Sequence, residues 1–337
     1  MTHKQHPIGT RFTAASTADD VLEGIDLTGW NVIVTGGHSG LGLETTRALS
    51  RVGASVTVGA RDPQRAAAAL DGIERVEIGR LDLLDPASID AFVDRYLDAG
   101  RPLHVLVNNA GIMSGPLLRD ARGYESQFAT NHLGHFQLTL RLLPALRAAH
   151  GARVVNLTSG GHRLSDIRWD DPHFTAGYDG MLAYGQAKTA NVLFAVELDR
   201  RWAGDGIHGY AVHPGIVVTT NLGPSRDEDG PAVGDEALRA MGLVDESGRP
   251  IIDPEHEKKT VQQGASTTVF AATSPLLADI GGVYLKNNDV SPLGTPVPMD
   301  FGTHDDDLPT DVVPYAIDPE SARRLWELSE QLLAVKV

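Results

Sequence analysis

The stretch TGGHSGLG, Thr35–Gly42, places four glycines among eight residues, between the apolar run Val32–Val34 and a segment that reads as a helix from Leu43 to Val52. A strand, a glycine turn and a helix in that order, near the start of an α/β chain, form a phosphate cradle. Gly36 permits the tight turn, Gly40 lets the backbone come close to a pyrophosphate, and Gly42 lets the helix pack on the strand. The helix N-terminus adds unpaired N–H groups and a partial positive charge. The spacing is G-x-x-x-G-x-G rather than G-x-G-x-x-G, and a glycine-rich turn alone is a weak signal. Leu43 and Glu44 follow the last glycine where a P-loop needs Lys-Ser/Thr, which speaks against ATP hydrolysis.

The same alternation continues outward. ASVTVGAR reads as a second strand and DPQRAAAAL as a second helix with Pro63 in its first turn. VEIGRLDL, LHVLVNNAG, ARVVNLTS and HGYAVHPG read as four more strands, and Asp85 caps a helix that begins at Pro86. Continuously apolar strands alternating with helices predict a parallel sheet buried on both faces. The expected fold class is therefore α/β: a single-domain, Rossmann-like, doubly wound parallel sheet with helices on both faces.

The chain has 337 residues, 42% hydrophobic and 22% charged, with no cysteine and a net charge of -15. That length buries a full core without disulfides or metals. The acidity argues against nucleic acid or an anionic membrane as a main partner. No apolar run approaches membrane-spanning length, and the first twenty residues lack the apolar core of a signal peptide, so a cytoplasmic location is expected. Residues 1–28 read as a loose N-terminal arm that could wrap a neighbouring subunit. The catalytic domain is placed at 29–300, with a substrate lid at about 223–256, and a helical C-terminal extension at 301–337.

TGGHSGLG, NNAG at Asn108–Gly111, Ser159, YGQAK at Tyr184–Lys188 and HPG at His213–Gly215 together resemble, in order and spacing, the short-chain dehydrogenase/reductase family. The likeness runs from about Gly29 to about Val283. YESQFATNHLGHF, YGQAKTANVLFAVEL and LWELSEQLL are similar to its retinol-dehydrogenase-like and WW-domain-oxidoreductase-like branch. The chemistry can also be argued from the residues. Tyr184 and Lys188, four apart on a helix, share a face. A tyrosine with a pKa of about 10 is a poor base, and a nearby ammonium favours the phenolate. Tyr184 can then exchange a proton with a substrate alcohol or carbonyl while hydride moves to or from nicotinamide. Ser159, at a strand end, would orient the substrate oxygen. The resemblance implies that Asn131 completes a proton relay by holding a water near the lysine. Ser159 and Tyr184 are 25 residues apart, and the stretch between them contains an insertion, taken as a wall of the substrate pocket.

Cofactor choice turns on the end of the second strand, where an acid favours NAD and a cation favours a 2′-phosphate. Arg61 stands there, and Ser39 could add a hydroxyl donor, so NADP is preferred over NAD. The resemblance implies that Leu41 joins the glycine turn, that Asp82 with Leu83 contacts adenine, and that Asn109, Ala110 and Gly111 line the adenosine ribose. It also implies that Pro214, Gly215, Val217 and Thr219 bracket the nicotinamide amide. His132 and His135 are three apart, but no acid or third histidine stands at a matching interval, so a metal is not expected. His162 and His173 flank the pocket insertion and could touch substrate, but the surface is the expected place for them. Leu325, Trp326, Leu328, Leu332 and Leu333 give a C-terminal helix an apolar stripe for core or subunit contact.

The reading is an NADP(H)-dependent oxidoreductase interconverting a carbonyl and an alcohol on a moderately large apolar molecule, in a homo-oligomer (dimer or tetramer). Its alternatives are an NAD-linked dehydrogenase or an epimerase/dehydratase of the same fold, and a non-catalytic dinucleotide-binding regulatory protein.

Overall fold

The computed structural model describes residues 4–220, 222, 235–296 and 309–335. Its strands are β1 Asn31–Thr35, β2 Ser55–Ala60, β3 Val76–Arg80, β4 Val105–Asn108, β5 Ala152–Leu157, β6 Ile207–Val212, β7 Val283–Lys286 and β8 Asp289–Val290. They form one sheet in the order β3-β2-β1-β4-β5-β6-β7-β8. All neighbouring strands are parallel except β8, which folds back on β7. The turn between those two consists of Asn287 and Asn288, with φ of 50° and 61°, the backbone that a two-residue hairpin of right-handed twist requires.

The helices are α1 Ala18–Val21, α2 Gly40–Arg51, α3 Pro63–Ala69, α4 Pro86–Asp98, α5 Ser126–Phe128, α6 Gly134–Arg141, α7 Leu143–Ala148, α8 Gly180–Trp202, α9 Asp235–Ala240, α10 Val261–Thr273 and α11 Pro319–Leu333. Side chains alternate across each strand, so β1 feeds two cores. Val32 and Val34 join Leu49 of α2 and Val269 and Phe270 of α10. Ile33 points the other way, to Phe92 of α4, Phe136 of α6, Phe194 of α8 and Trp326 of α11. The expected doubly wound sheet is present, with α1, α2 and α10 on one face and α4, α6, α8 and α11 on the other.

Two expectations need correction. The glycine-rich helix starts at Gly40, not Leu43, so the turn is already its first turn. The segment before β1 is not loose. The Gln5 side chain bonds Tyr284 O, Ser291 O and Tyr284 N at 2.8, 2.7 and 2.9 Å, and Asp289 accepts from the backbone N–H groups of Ile8, Gly9 and Thr10. The stretch between Ser159 and Tyr184, taken as a pocket wall, is packed against the body of the fold: Ile167 and Phe174 are buried, and Arg119 donates to the carbonyls of His173 and Phe174. Part of the expected lid, 223–234, lies outside the described residues, as does most of the start of the expected C-terminal extension. In the remainder of the lid, Asp235–Ala240 forms α9, and Leu243 and Val244 are buried.

Candidate active site

The strand order reverses at β1, which has β2 on one side and β4 on the other, and a doubly wound sheet opens a crevice at the strand C-termini there. The loops that leave β1, β4, β5 and β6 at that edge carry TGGHSGLG, NNAG, Ser159 and HPG. Thr35 ties the first two together. Its Oγ1 accepts from the N–H of Asn109 and Ala110, both at 2.9 Å, and its carbonyl accepts from Asn109 Nδ2 at 2.8 Å.

This turn fits a dinucleotide. A Cβ on Gly42 would lie 2.4 Å from Gly36 O and 2.5 Å from Asn109 Nδ2. Gly36 and Gly40 have φ of 64° and 50°. Only glycine lets these backbones close into one cradle. Ser39 caps α2 in extended conformation without a side-chain bond to the helix, leaving first-turn N–H groups free to face an anion. Across the crevice, a Cβ on Gly40 would meet Thr220, and one on Gly264 would meet both Val217 and Leu41. The loop holding Pro214, Gly215, Val217 and Thr219 therefore approaches the glycine turn. Ile216 N donates to Glu257 O at 2.7 Å and fixes that loop from behind.

Arg61 follows β2 directly and is exposed. Arg65, on α3, and half-buried His38, on the glycine turn, share its neighbourhood. Burial, then the charges of Arg65 and Arg61, hold the His38 imidazole below its usual range. The sequence reading did not name His38 or Arg65, although Arg65 stands four residues beyond Arg61 in the first turn of α3. Asp82 spends its Oδ1 on the N–H of Leu84 at 3.0 Å, and Leu83 is buried, its carbonyl close to Gly134.

Asn131 lies in a π-helical turn, Ala129–Leu133, between α5 and α6; such turns mark functional sites. Its amide bonds the Ile112 backbone at both ends, N–H to Oδ1 and Nδ2 to carbonyl, each at 2.9 Å. A Cβ on Gly111 would lie 3.2 Å from Asn131 Oδ1 and 3.7 Å from Lys188 Nζ, so these three residues converge.

Tyr184 and Lys188 stand on α8 in adjacent turns, both 3% exposed. Lys188 Nζ lies 5.5 Å from the centre of the Tyr184 ring and donates to Leu157 O at 3.0 Å. The Tyr184 ring and the Ser159 hydroxyl converge on Gly161, where a Cβ would lie 2.8 Å from Tyr184 Cε1 and 3.3 Å from Ser159 Oγ. Ser159 caps a short 3-10 turn, Gly160–Leu164, and its Oγ accepts from Gly161 N at 3.0 Å. The expected acidification of the phenol by Lys188 is not what dominates. Burial pushes Tyr184 up to about 12, against the smaller opposing effect of the nearby Ser159 hydroxyl. Burial also brings Lys188 down to about 8. In a water-poor site, desolvation outweighs the ammonium's attraction.

The other histidines do structural work. His132 Nε2 meets Ser329 Oγ of α11 at 2.8 Å, and His135 Nε2 meets Thr35 Oγ1 at 2.9 Å. Burial lowers them to about 3 and about 4. His162, expected at the surface, is 0% exposed. His173 is half-buried and stacks on Tyr124 at 4.4 Å. Among the described residues no helix is long and apolar enough to cross a membrane.

Comparison with known proteins agrees with this geometry. Residues 30–230 match the family model for short chain dehydrogenase. The chain is 43% identical over 318 residues to a "Probable oxidoreductase" of Streptomyces lividans, covering 92% of this chain and 99% of that one. It is 34% identical to retinol dehydrogenase 12 of Mus musculus, over 93% of this chain and 89% of that one. A crystal structure of an uncharacterized protein from Mycobacterium paratuberculosis superposes with a TM-score of 0.68 at 33% identity, over 97% and 99% of the two chains. Site geometry, family match and relatives agree that the chain is an oxidoreductase belonging to the short-chain dehydrogenase/reductase family, in its retinol-dehydrogenase-like branch.

Proposed function

We propose that the protein interconverts a carbonyl and an alcohol on a moderately large apolar small molecule, using NADP(H), with Tyr184 as the acid and base. The observation that carries this reading is the convergence of the buried Tyr184 ring and the Ser159 Oγ on Gly161, with the Lys188 ammonium beside the phenol ring.

NADPH, when bound, would supply the hydride. The glycine turn and the α2 N-terminus would hold its pyrophosphate. Arg61, Arg65 and His38 would hold its 2′-phosphate, where two guanidinium groups offer the bidentate contacts that phosphate favours. A carbonyl substrate would accept hydrogen bonds from Ser159 and Tyr184. A phenol that stays protonated at neutral pH is ready to give its proton to that oxygen in the reducing direction. Lys188, brought down to about 8 by burial, holds a proton that it can release near neutrality. Asn131 fixes Ile112 and the Gly111 backbone around the lysine.

Two exposed apolar side chains favour an apolar substrate. Leu182 is on the first turn of α8, two residues before Tyr184, and Leu118 follows a loop whose Gly115 carbonyl abuts Gly180. The direct test is a panel of ketones, aldehydes and alcohols with NADPH and with NADH, followed through the absorbance of reduced nicotinamide. Turnover of apolar carbonyls with NADPH is expected. No turnover of any carbonyl or alcohol would end the reading, and turnover with NADH alone would end its NADP part.

A further inference from the structure

The peptide that joins Ser159 to Gly160 is held at both ends by buried histidines. On one side, Gly160 N donates to His213 Nδ1 at 3.0 Å. On the other, Ser159 O faces His162 Nδ1 at 2.8 Å and also accepts from His162 N at 3.1 Å. The hydrogen-bond chemistry fixes opposite tautomers. His213 Nδ1 receives an N–H, so its proton is on Nε2, which faces Glu257 Oε2 at 3.4 Å. His162 Nδ1 meets a carbonyl and so carries the proton, while its Nε2 receives the N–H of Val313 at 3.3 Å. Tyr284 lies between the two rings, 5.1 Å from His162 and 6.4 Å from His213.

Neither histidine reaches Tyr184 or Lys188, so neither is a catalytic residue. Their effect passes through the peptide. Its orientation sets the direction of the Ser159 side chain and the place of Gly161, on which the Tyr184 ring rests. The outer supports come from far along the chain. Glu257 also accepts from Thr310 Oγ1 at 2.8 Å and lies 3.5 Å from Lys286 Nζ. The His162 carbonyl accepts from Thr189 Oγ1 and Tyr315 OH.

We propose that His162 and His213 are positioning residues that clamp the Ser159–Gly160 peptide in opposite tautomers, and so keep the Ser159 hydroxyl aligned with Tyr184. The proposal rests on the catalytic reading above for its kinetic consequence, but not for its structural content.

The structural content is read without turnover. Long-range proton–nitrogen spectra of the full chain labelled with nitrogen-15 histidine, assigned with the variants below, should show His213 protonated on Nε2 and His162 on Nδ1. Kinetics then separate the two ring positions. An asparagine amide falls near Nδ1 of the histidine it replaces, and a glutamine amide near Nε2. His213→Asn keeps an acceptor for Gly160 N–H, whereas His213→Gln strands it. His213→Asn should keep kcat within about threefold, and His213→Gln should lose about tenfold or more, because a buried N–H is left unpaired. NADPH affinity, measured by fluorescence quenching, should be the same in both. His162→Asn and His162→Gln should split in the same way.

Like tautomers on the two rings, or equal kcat in the Asn and Gln variants of His213, would overturn the clamp. A wild-type chain with no turnover, or a Tyr184→Phe variant as active as wild type, would instead overturn the catalytic reading and leave the spectra to decide the clamp.

Discussion

Gly161→Ala tests the reacting geometry with one carbon atom. A Cβ at Gly161 would lie 2.8 Å from Cε1 and 3.1 Å from Cδ1 of Tyr184, and 3.3 Å from Ser159 Oγ. Ordinary contact begins at 3.4 Å, so the ring edge must retreat by about 0.6 Å or more in a close-packed site. Cε1 is bonded to the carbon that carries the hydroxyl, so the hydroxyl moves with it. The ring is buried, and overpacking of this kind costs about 1–3 kcal/mol of stability. Displacement by 1 Å in a reacting group costs about 100-fold in rate, so the loss in kcat should be about 10- to 100-fold. The glycine turn is not touched, and NADPH affinity should hold. The assay is steady-state kinetics with a substrate found in the carbonyl panel, with a thermal melt and an NADPH titration on the same protein. A variant with wild-type kcat would show that the Tyr184 ring position does not govern turnover, and the argument from this contact would fail.

Tyr184→Phe should keep NADPH affinity and lose nearly all turnover; normal turnover would remove the phenol from the mechanism. Arg61→Ala and Arg65→Ala should each weaken NADPH far more than NADH, by about tenfold or more for a lost charge-assisted phosphate contact. An equal loss for both cofactors would displace the 2′-phosphate from this corner. Lys188→Met should abolish turnover yet stabilise the fold. The folded lysine titrates at about 8 against 10.5 in the unfolded chain, so the unfolded state holds more protons between those values. The wild-type penalty is therefore full below about pH 8 and is relieved as pH rises toward the unfolded value, worth up to about 3 kcal/mol. Leu157 O keeps the Asn191 Nδ2 donor at 2.9 Å when the ammonium is gone. Urea midpoints at about pH 7 and about pH 10 should differ for wild type and converge for Lys188→Met; equal midpoints for the two proteins at neutral pH would refute this.

What was legible in the sequence was local and periodic. Six strands, the glycine turn and the Tyr184–Lys188 spacing each depend on residues within a few positions of one another. β7 and β8 escaped because they are short and their signal is a turn, Asn287-Asn288, rather than an apolar run. α10 escaped because VQQGASTTVFAAT is rich in small and β-branched residues and is buried on nearly every side, so it shows no polar face. The capping box of Thr260 and Gln263 was its one local mark. The phenol's acidity was misjudged for a related reason. Spacing along a helix shows that an ammonium is near, but the desolvation that wins here comes from the whole fold. His162 looked like a surface residue because nothing in its own stretch shows that Val313 and Tyr284 arrive from more than a hundred residues away to enclose it.

That last point divides the chain by role. The short chain dehydrogenase match spans residues 30–230 and contains the residues proposed above to hold the cofactor and to carry the proton. The parts that hold those groups still come largely from after it. Glu257 O pins Ile216 behind the cofactor loop, and the Glu257 side chain faces His213. Val313 N–H closes on His162, and Tyr315 reaches the His162 carbonyl. Ser329 of α11 holds His132 beside Asn131, and Trp326 packs on Phe136 and Phe194 beneath the same π turn. A hydroxyl, a phenol and an ammonium become a proton path only when their separations are fixed to fractions of an ångström. The chemistry is therefore written in the shared segment, and its alignment in the C-terminal segments that fold back over it.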